Sequence, residues 1–306
     1  MSVSVVIETV NAREDAKGSL AESMRATLDA LAGQTVAPDE VVIVLDDDVG
    51  GADADELRSL YPHATFATSG PQSNYFAAKN AGAAAAAGDI VALLDSDVVP
   101  APDWLELLVS RFTPDVGGVA GRARYAEDSF AARILSIPDF ALVGEQDGGA
   151  STGMHLNNVA FRRDVLLRHP LDARIRRNGG CYLLFHQLRA AGVRVVYEAR
   201  AQTTHGFRGA RRMIRMEFER GYDAVDVYRL DDACVLRGTR WFRRLGGLAL
   251  FGIAARRIAI DSMRMVRQRR QIGIAALALP YFCAVVAAVR LLELAGGLRA
   301  CARSRA

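Results

Sequence analysis

Two aspartates one residue apart close a buried strand, and their spacing suits a cation site. The run Val91-Ala-Leu-Leu-Asp95-Ser-Asp97 starts as a continuous apolar stretch, which is typical of a parallel strand covered on both faces. Unpaired carboxylates are costly to bury, whereas Mg²⁺ and Mn²⁺ prefer oxygen ligands. One acid would bind the cation directly and the other directly or through water. The alternative is a solvated loop, because Asp and Ser are ordinary turn residues.

Two other predicted strands also end in polar residues. Ser2–Ile7 leads into Glu8-Thr9, and Glu40–Leu45 leads into Asp46-Asp47-Asp48. Helical patterns separate the strands, which predicts an α/β fold with a doubly wound sheet. Because ligands bind such sheets at the carboxyl ends of the strands, we expect the three clusters to form one site. The alternative for the triple aspartate is a solvated turn.

Further along the chain, a lysine and a histidine are candidates for the same site. Lys79 lies in a predicted Ala-rich helix, and His205 follows a strand predicted over 192–197. Histidine is an adaptable metal ligand but is also common in loops. The alternatives are a helix-surface charge for Lys79 and an ordinary strand-end residue for His205. Between them, residues 160–167 are predicted to begin a helix.

These segments, in this order, resemble the inverting glycosyltransferases of family 2, which have the GT-A fold, and this resemblance implies a doubly wound sheet of mixed strand direction. Val5–Asn11 is similar to the first strand and turn of the family, with Glu8 where proline is usual. Val42–Asp47 is similar to the second strand, whose acids recognise the nucleoside. Lys79–Gly82 is similar to the Arg-Asn-Ala-Gly segment, and Leu94–Asp97 matches the metal-binding Asp-x-Asp.

The resemblance covers roughly residues 2–230 and includes Asn157–Arg163, which is similar to an acceptor-side segment. It implies a nucleotide-diphosphate sugar as donor, and Mg²⁺ or Mn²⁺ bound by Asp95, Asp97 and His205. It also implies that an acceptor hydroxyl attacks C1 from the opposite face. The implied donor-binding residues are Glu8, Thr9, Asp46, Asp47, Lys79, Asp95 and Ser96.

One family feature is missing, namely the carboxylate that acts as catalytic base. The family usually has Glu-Asp about twelve residues before a glycine, but counting back from Gly192 gives Gly180-Cys181. No acid lies between Asp172 and Glu198. Either a shifted residue is the base, or the protein belongs to a divergent subgroup, or it is inactive. Weak candidates are Asp147, His155 and Cys181, of which the cysteine would act only as a thiolate.

The charge is divided unevenly along the 306 residues. From Arg208 onward there are 20 arginines and 8 acids, so that residues 1–207 carry a net charge near −9 although the whole chain is +3. We therefore expect a catalytic domain over 1–207 and a basic region over 208–306. Lysine is nearly absent, so arginine richness alone does not predict nucleic-acid binding. The four cysteines form no CxxC pair, which argues against a zinc site or a disulfide framework.

The basic region is also apolar. Arginines and aromatics cluster in Arg237–Arg244, and Ile272–Val289 has no charge. At 1.5 Å per residue the latter spans about 27 Å, slightly less than the roughly 30 Å of a hydrocarbon core, and Pro280 should kink it. This predicts a helical, membrane-associated segment that lies in the interface or spans it marginally. The alternative is a buried helical pair packed on the catalytic domain or a second subunit.

The expected function is metal-dependent, inverting transfer of a sugar from a nucleotide-diphosphate donor to a polysaccharide or lipid-linked acceptor. The expected location is the cytoplasmic face of a bacterial inner membrane, where the protein would be peripheral or marginally integral. The reason is that the opening residues have the pattern of a strand and lack that of a secretory signal. The expected partners are the donor, the acceptor and the membrane surface, with no nucleic acid, and a homo-oligomer stays open. Two rival predictions are a degenerate nucleotide-sugar binder and a membrane-anchored interaction subunit.

Overall fold

A computed structural model describes residues 1–15, 18–71, 73–126, 129–141, 143–207 and 209–303. They form two compact units. The first comprises Met1–Arg124, Val143–Arg176 and Gln187–Gly206, and the second comprises Tyr125–Leu142, Arg177–His186 and Phe207–Ala306.

The first unit is organised around a mixed eight-stranded sheet. The strands are β1 (Val3–Glu8), β2 (Glu40–Leu45), β3 (Thr65–Thr68), β4 (Ile90–Asp95), β5 (Val98–Pro100), β6 (Val116–Tyr125), β7 (Val159–Arg162) and β8 (Arg194–His205). Their spatial order is β3-β2-β1-β4-β7-β6-β8-β5. The pairs β3–β2, β2–β1 and β1–β4 are parallel, whereas β4–β7, β7–β6 and β8–β5 are antiparallel. The predicted α/β class with a mixed sheet is confirmed.

Helices connect the strands and make up most of the second unit. They are α1 (Val10–Asp15), α2 (Leu20–Ala32), α3 (Gly51–Leu60), α4 (Tyr75–Ala85), α5 (Trp104–Val109), α6 (Phe130–Ser136), α7 (Arg163–Arg168), α8 (Gly180–Ala190), α9 (Ala210–Leu230), α10 (Arg237–Leu245), α11 (Ala249–Ile272) and α12 (Leu279–Arg303). Short π or 3-10 turns occupy residues 137–141, 147–149, 246–248 and 276–278.

The central strands are buried along their whole length. Every residue of β1 and β4 is buried, as their apolar sequences predict for parallel strands covered by helices on both faces. Their register places Glu8 directly beside Asp95. The polar residues that end these two strands therefore meet at one edge of the sheet, as expected from the sequence.

Residues 160–167 do not begin as a helix, and that prediction was wrong. Val159–Arg162 forms β7, and α7 starts only at Arg163. A short apolar run such as Val159-Ala-Phe161 fits either a strand or a buried helix by its pattern alone. This run forms a strand because it pairs with β4 on one side and with β6 on the other.

The second unit is a helical assembly in which α9 and α12 cross at glycines. A Cβ on Gly221 would lie 1.8 Å from the Glu293 carbonyl oxygen, and one on Gly296 would lie 1.9 Å from that of Phe218. Such a close approach of two backbones is open only to glycine. At its other end, α12 returns to the start of α11, because Gly247 packs against Cys301. Helices α11 and α12 thus form a hairpin.

The segment 272–289 is not one continuous helix. Gly273, with φ of 77°, ends α11 in the left-handed conformation. Pro280 lies in the first turn of α12, where its missing N–H is tolerated. The predicted proline kink is therefore wrong. Within the described residues, Ala276–Arg303 is the one stretch long and apolar enough to cross a membrane.

The apolar helix α12 nevertheless carries buried charges. Arg290 donates to Asp261 at 2.8 Å and pairs with Glu293 at 2.5 Å, and Arg257 pairs with the other Glu293 oxygen at 2.5 Å. Arg257 and Asp261 lie on α11, whereas Glu293 lies on α12 itself. Buried charges persist in proteins when they are paired in this way, so α12 packs as a helix of the second unit.

Two segments that the sequence analysis assigned to 1–207 belong to the second unit. Asp139, in the π turn, forms an ion pair with Arg220 of α9. Asn178, just before α8, donates to Asp223 of α9 at 2.7 Å. These long-range contacts group 125–142 and 177–186 with the C-terminal helices. Arg208, the residue at the predicted boundary, lies outside the described residues.

Candidate active site

The three predicted metal ligands come together. One ligand atom each from Asp95, Asp97 and His205 lie within 4.8 Å of one another. The antiparallel pairing of β5 with β8 places Val98 opposite His205, which brings the histidine to the end of the Asp95–Asp97 turn. His205 Nδ1 is 3.3 Å from Asp97 Oδ2. Two carboxylates and an imidazole are a suitable ligand set for a divalent metal such as Mn²⁺.

Asp95 is held by two residues of α4. The Tyr75 hydroxyl donates to Asp95 Oδ1 at 2.6 Å, and Lys79 Nζ lies 2.9 Å from the same oxygen. Lys79 also donates to the Leu94 carbonyl at 2.6 Å. The two residues are four apart, so they share one face of the helix. Lys79 is completely buried, which excludes the alternative of a helix-surface charge.

The close packing of α4 on the sheet depends on Gly82. A Cβ there would lie 2.2 Å from Val6 Cγ1 and 2.8 Å from Val44 Cγ2, so a side chain at this position would push the helix away. Asn74 caps the start of the helix, because its side chain accepts hydrogen bonds from the N–H groups of Phe76 and Ala77. The segment Lys79-Asn80-Ala81-Gly82 thus positions the lysine beside the strand end.

The charges around Asp95 favour its ionised form. Burial by itself raises the pKa of Asp95, but the charge of Lys79 and the hydrogen bonds from Lys79 and Tyr75 together hold that pKa below its ordinary value. A carboxylate in this state keeps its negative charge available to a cation at neutral pH.

Glu8, where the family has proline, behaves differently. Burial raises the pKa of Glu8 to about 8, against the attraction of Lys79, and Asp95 and Asp97 raise it further. Its Oε2 accepts from the Asn11 N–H at 3.0 Å, while Oε1 is buried without a hydrogen-bond partner. At neutral pH Glu8 is therefore mainly protonated, and the negative charge at the site comes from the two aspartates.

A second polar cluster lies at the ends of β1 and β2. The Thr9 hydroxyl donates to Asp46 Oδ2 at 2.9 Å, and Arg13 on α1 pairs with Asp46 at 2.9 Å and with Asp48 at 3.1 Å. Asp47 is exposed. The alternative of a merely solvated turn does not describe Asp46, which is buried and fixed by Thr9 and Arg13.

Ser96, between the two aspartates, has a structural partner. It is fully buried, and its hydroxyl accepts from the Ala12 N–H at 2.9 Å. Thr27 donates to the carbonyl oxygens of Ser96 and Val98 at 3.0 and 2.8 Å. These bonds fix the shape of the turn that carries Asp95 and Asp97.

The three weak candidates for the base are dispersed. Asp147 is exposed in a loop of the first unit, which Arg194 holds by donating to the Gly148 carbonyl at 3.0 Å. His155 is half-buried in the first unit, two residues before Asn157. Cys181 is half-buried and belongs to the second unit, in the first turn of α8. None of the site contacts described above involves these three residues, and their roles stay predictions.

Sequence reasoning missed three residues of the site. Tyr75 lies four residues before Lys79 on α4, and Arg13 lies on α1, a helix that the sequence pattern does not predict. Asn157 was noted only within the acceptor-side segment, yet its side-chain nitrogen is 2.6 Å from His205 Nε2. Helical periodicity from Lys79 would have identified Tyr75, whereas no local signal links Asn157 to His205, 48 residues away.

Comparison with known proteins identifies relatives of this chain. The family model described as glycosyl transferase family 2 matches residues 4–169. A glucosyl-dolichyl phosphate glucuronosyltransferase from Haloferax volcanii is 29% identical over 237 residues, which cover 67% of this chain and 69% of that protein.

Solved structures show the same fold. A mannosyltransferase from Pyrobaculum calidifontis, in complex with GDP-Man and Mn²⁺, superposes with a TM-score of 0.59 at 17% identity, covering 97% of this chain and 86% of that one. GalNAc-T7 with UDP, GalNAc and Mn²⁺ gives a TM-score of 0.52 at 15% identity, covering 68% of this chain and 44% of that one.

Proposed function

The chain belongs to glycosyltransferase family 2, and from this premise we propose that it transfers a sugar from a nucleotide-diphosphate donor with a divalent metal and with inversion at C1. The observation that carries the proposal is the convergence of Asp95, Asp97 and His205 at the end of β4. The two neighbours bound to Mn²⁺ support the choice of metal. Family membership favours an enzyme over the two non-catalytic alternatives.

Each end of the donor has residues suited to it. Asp95, Asp97 and His205 would hold Mg²⁺ or Mn²⁺, which when bound supplies positive charge to the diphosphate leaving group. Lys79 and Tyr75 keep Asp95 ionised and fixed in direction. Asp46, held by Thr9 and Arg13, would bind the nucleoside.

The proton acceptor must be a residue other than the aspartate that is usual in the family. Gly180 and Cys181 begin α8 where the resemblance places the acidic pair, and neither is a carboxylate. Asp147 and His155 in the first unit and Cys181 in the second are the candidates carried forward. Single substitutions of the three, with measurement of donor hydrolysis and of transfer separately, would identify the base as the one that loses transfer more than hydrolysis.

The acceptor in this proposal is glycan or lipid-linked, and the site of action is the cytoplasmic face of a membrane. The name of the Haloferax volcanii relative, which refers to a dolichyl phosphate, supports a lipid-linked acceptor. The turn between α11 and α12 and the first turn of α12 expose apolar residues. Leu277 in the turn is 98% exposed, and Tyr281 in α12 is 51% exposed. Exposed Arg267 and Arg270 lie just before this turn. Apolar residues flanked by arginines suit an interface with anionic lipid.

A screen of nucleotide-diphosphate sugars tests the proposal. A donor bound at about 100 times its dissociation constant should stabilise the folded protein by roughly 2.7 kcal/mol. We expect this gain in thermal unfolding to require Mn²⁺ or Mg²⁺ and to disappear in Asp97→Ala. A gain that is the same with and without metal would contradict the metal-dependent site, and no gain with any donor would contradict donor binding.

A further inference from the structure

Asn157 contacts the His205 nitrogen that does not face Asp97. Asn157 is buried, with 6% of its surface exposed, and its Nδ2 is 2.6 Å from His205 Nε2. On the other side of the ring, Nδ1 is 3.3 Å from Asp97 Oδ2. Asn157 Oδ1 is buried and has no hydrogen-bond partner. A buried, unsatisfied carbonyl oxygen beside a predicted metal ligand requires an explanation.

The orientation of this amide determines which ring nitrogen of His205 carries the proton. A neutral imidazole has one N–H and one lone pair. When Asn157 Nδ2 donates to Nε2, the proton must be on Nδ1, where it faces Asp97 and blocks metal binding through that nitrogen. When the amide is turned by 180°, Oδ1 accepts from Nε2–H. The Nδ1 lone pair then points toward Asp97.

We propose that Asn157 is a positioning residue that sets the tautomer of His205 for cation binding. When Oδ1 of Asn157 accepts from Nε2–H, the imidazole keeps its proton on Nε2, and the Nδ1 lone pair on the Asp97 side stays available to a cation. The same arrangement gives the buried Oδ1 a partner.

The proposal rests on the proposed metal site, and titration of the full chain with Mn²⁺ in the absence of donor tests both separately. Asn157→Leu removes the hydrogen bond and should weaken Mn²⁺ binding by about 10–100-fold, the usual effect of losing a partner of a metal-bound histidine. Asn157→Asp keeps an acceptor for Nε2–H and should bind Mn²⁺ at least as tightly as the wild type. Wild-type protein that fails to bind Mn²⁺ would overturn the metal site, whereas equal binding by wild type and Asn157→Leu would overturn only the role of Asn157.

Two controls separate a tautomer effect from general packing or charge. In a His205→Ala background, Asn157→Leu should have no further effect on Mn²⁺ affinity, because the coupling acts through the imidazole. A loss of the same size in that background would overturn the proposal. In the same His205→Ala background, the change in Mn²⁺ affinity caused by Asn157→Asp measures the effect of the added negative charge alone. Gln34→Leu removes an amide that bonds the backbone of Ala101 and Leu105; it should lower thermal stability and leave Mn²⁺ affinity unchanged.

Discussion

The Lys79 ammonium lies 2.9 Å from Asp95 Oδ1 with no exposed surface, so the carboxylate that ends the central strand has a buried counter-ion. Removal of one partner from such a pair leaves an uncompensated charge. Lys79→Met should therefore lower the free energy of unfolding by about 3–5 kcal/mol at neutral pH. Tyr75→Phe removes one hydrogen bond to the same oxygen and should cost about 1.5–3 kcal/mol. Urea denaturation of both variants measures the difference, and a smaller loss for Lys79→Met than for Tyr75→Phe would contradict the pairing.

Asp97 should matter for metal binding more than for folding. It is only partly buried and faces His205 Nδ1, so Asp97→Asn removes a charged ligand with little change in packing. We expect Mn²⁺ affinity to fall at least tenfold, about 1.4 kcal/mol, while the midpoint of thermal unfolding without metal stays close to that of the wild type. Isothermal titration measures the affinity, and unchanged binding would exclude Asp97 as a ligand.

The glycine crossing between α9 and α12 should tolerate no side chain. Gly296→Ala places a methyl group 1.9 Å from the Phe218 carbonyl oxygen, and overpacking of this kind typically costs about 1–3 kcal/mol or more. Gly252→Ala is the matched control, because its Cβ would be 3.4 Å from the nearest atom, on Trp241. The control should be neutral or stabilising by about 0.5–1 kcal/mol. Equal denaturation midpoints for the two variants would show that the crossing is looser than described.

Membrane binding should depend on one end of the α11–α12 hairpin. Leu277→Glu places a charge on the exposed turn and should reduce co-sedimentation with vesicles that contain phosphatidylglycerol by at least tenfold. Leu248, 74% exposed at the opposite end of the hairpin, is the matched control, and Leu248→Glu should bind almost as the wild type does. A larger loss of vesicle binding for Leu248→Glu would place the membrane contact at the end of the hairpin next to α10. No binding by the wild-type protein would exclude this membrane surface.

Glu217 on α9 should make stability depend on pH. Burial raises the pKa of Glu217 to about 7, against Arg220, with Asp139 adding to the rise. The folded state therefore keeps a proton that the unfolded state releases above about pH 4.3, and stability should fall as the pH rises from about 4.3 to 7 and then level off. The fall is on the order of 4 kcal/mol at most. Glu217→Gln should remove this slope in denaturation curves at pH 5, 6, 7 and 8, and a slope equal to that of the wild type would assign the effect to another group.

Much of the fold and the centre of the site could be predicted from local sequence. The apolar runs of β1, β2 and β4 are buried strands, and the polar residues that follow them meet because parallel strands end at the same edge. Lys79 and Gly82 fall on one helix face by simple periodicity. These inferences succeed because they depend on residues that are near in sequence, or on a rule that holds for every parallel sheet.

Only the tertiary structure decided the rest. The pattern of the apolar run at β7 predicts a helix, but the run is a strand because it pairs with two flanking strands that are distant in sequence. His205 reaches Asp97 through the β5–β8 pairing, and Asn157 meets His205 only because their separate strands converge. Likewise, the uncharged segment 272–289 predicts an apolar helix, while the glycine that breaks it and the charged partners on α11 determine where α12 begins and how it packs. Composition and spacing determined which residue types were present for the chemistry, and long-range pairing, whose energy depends on both partners, determined which of them touch.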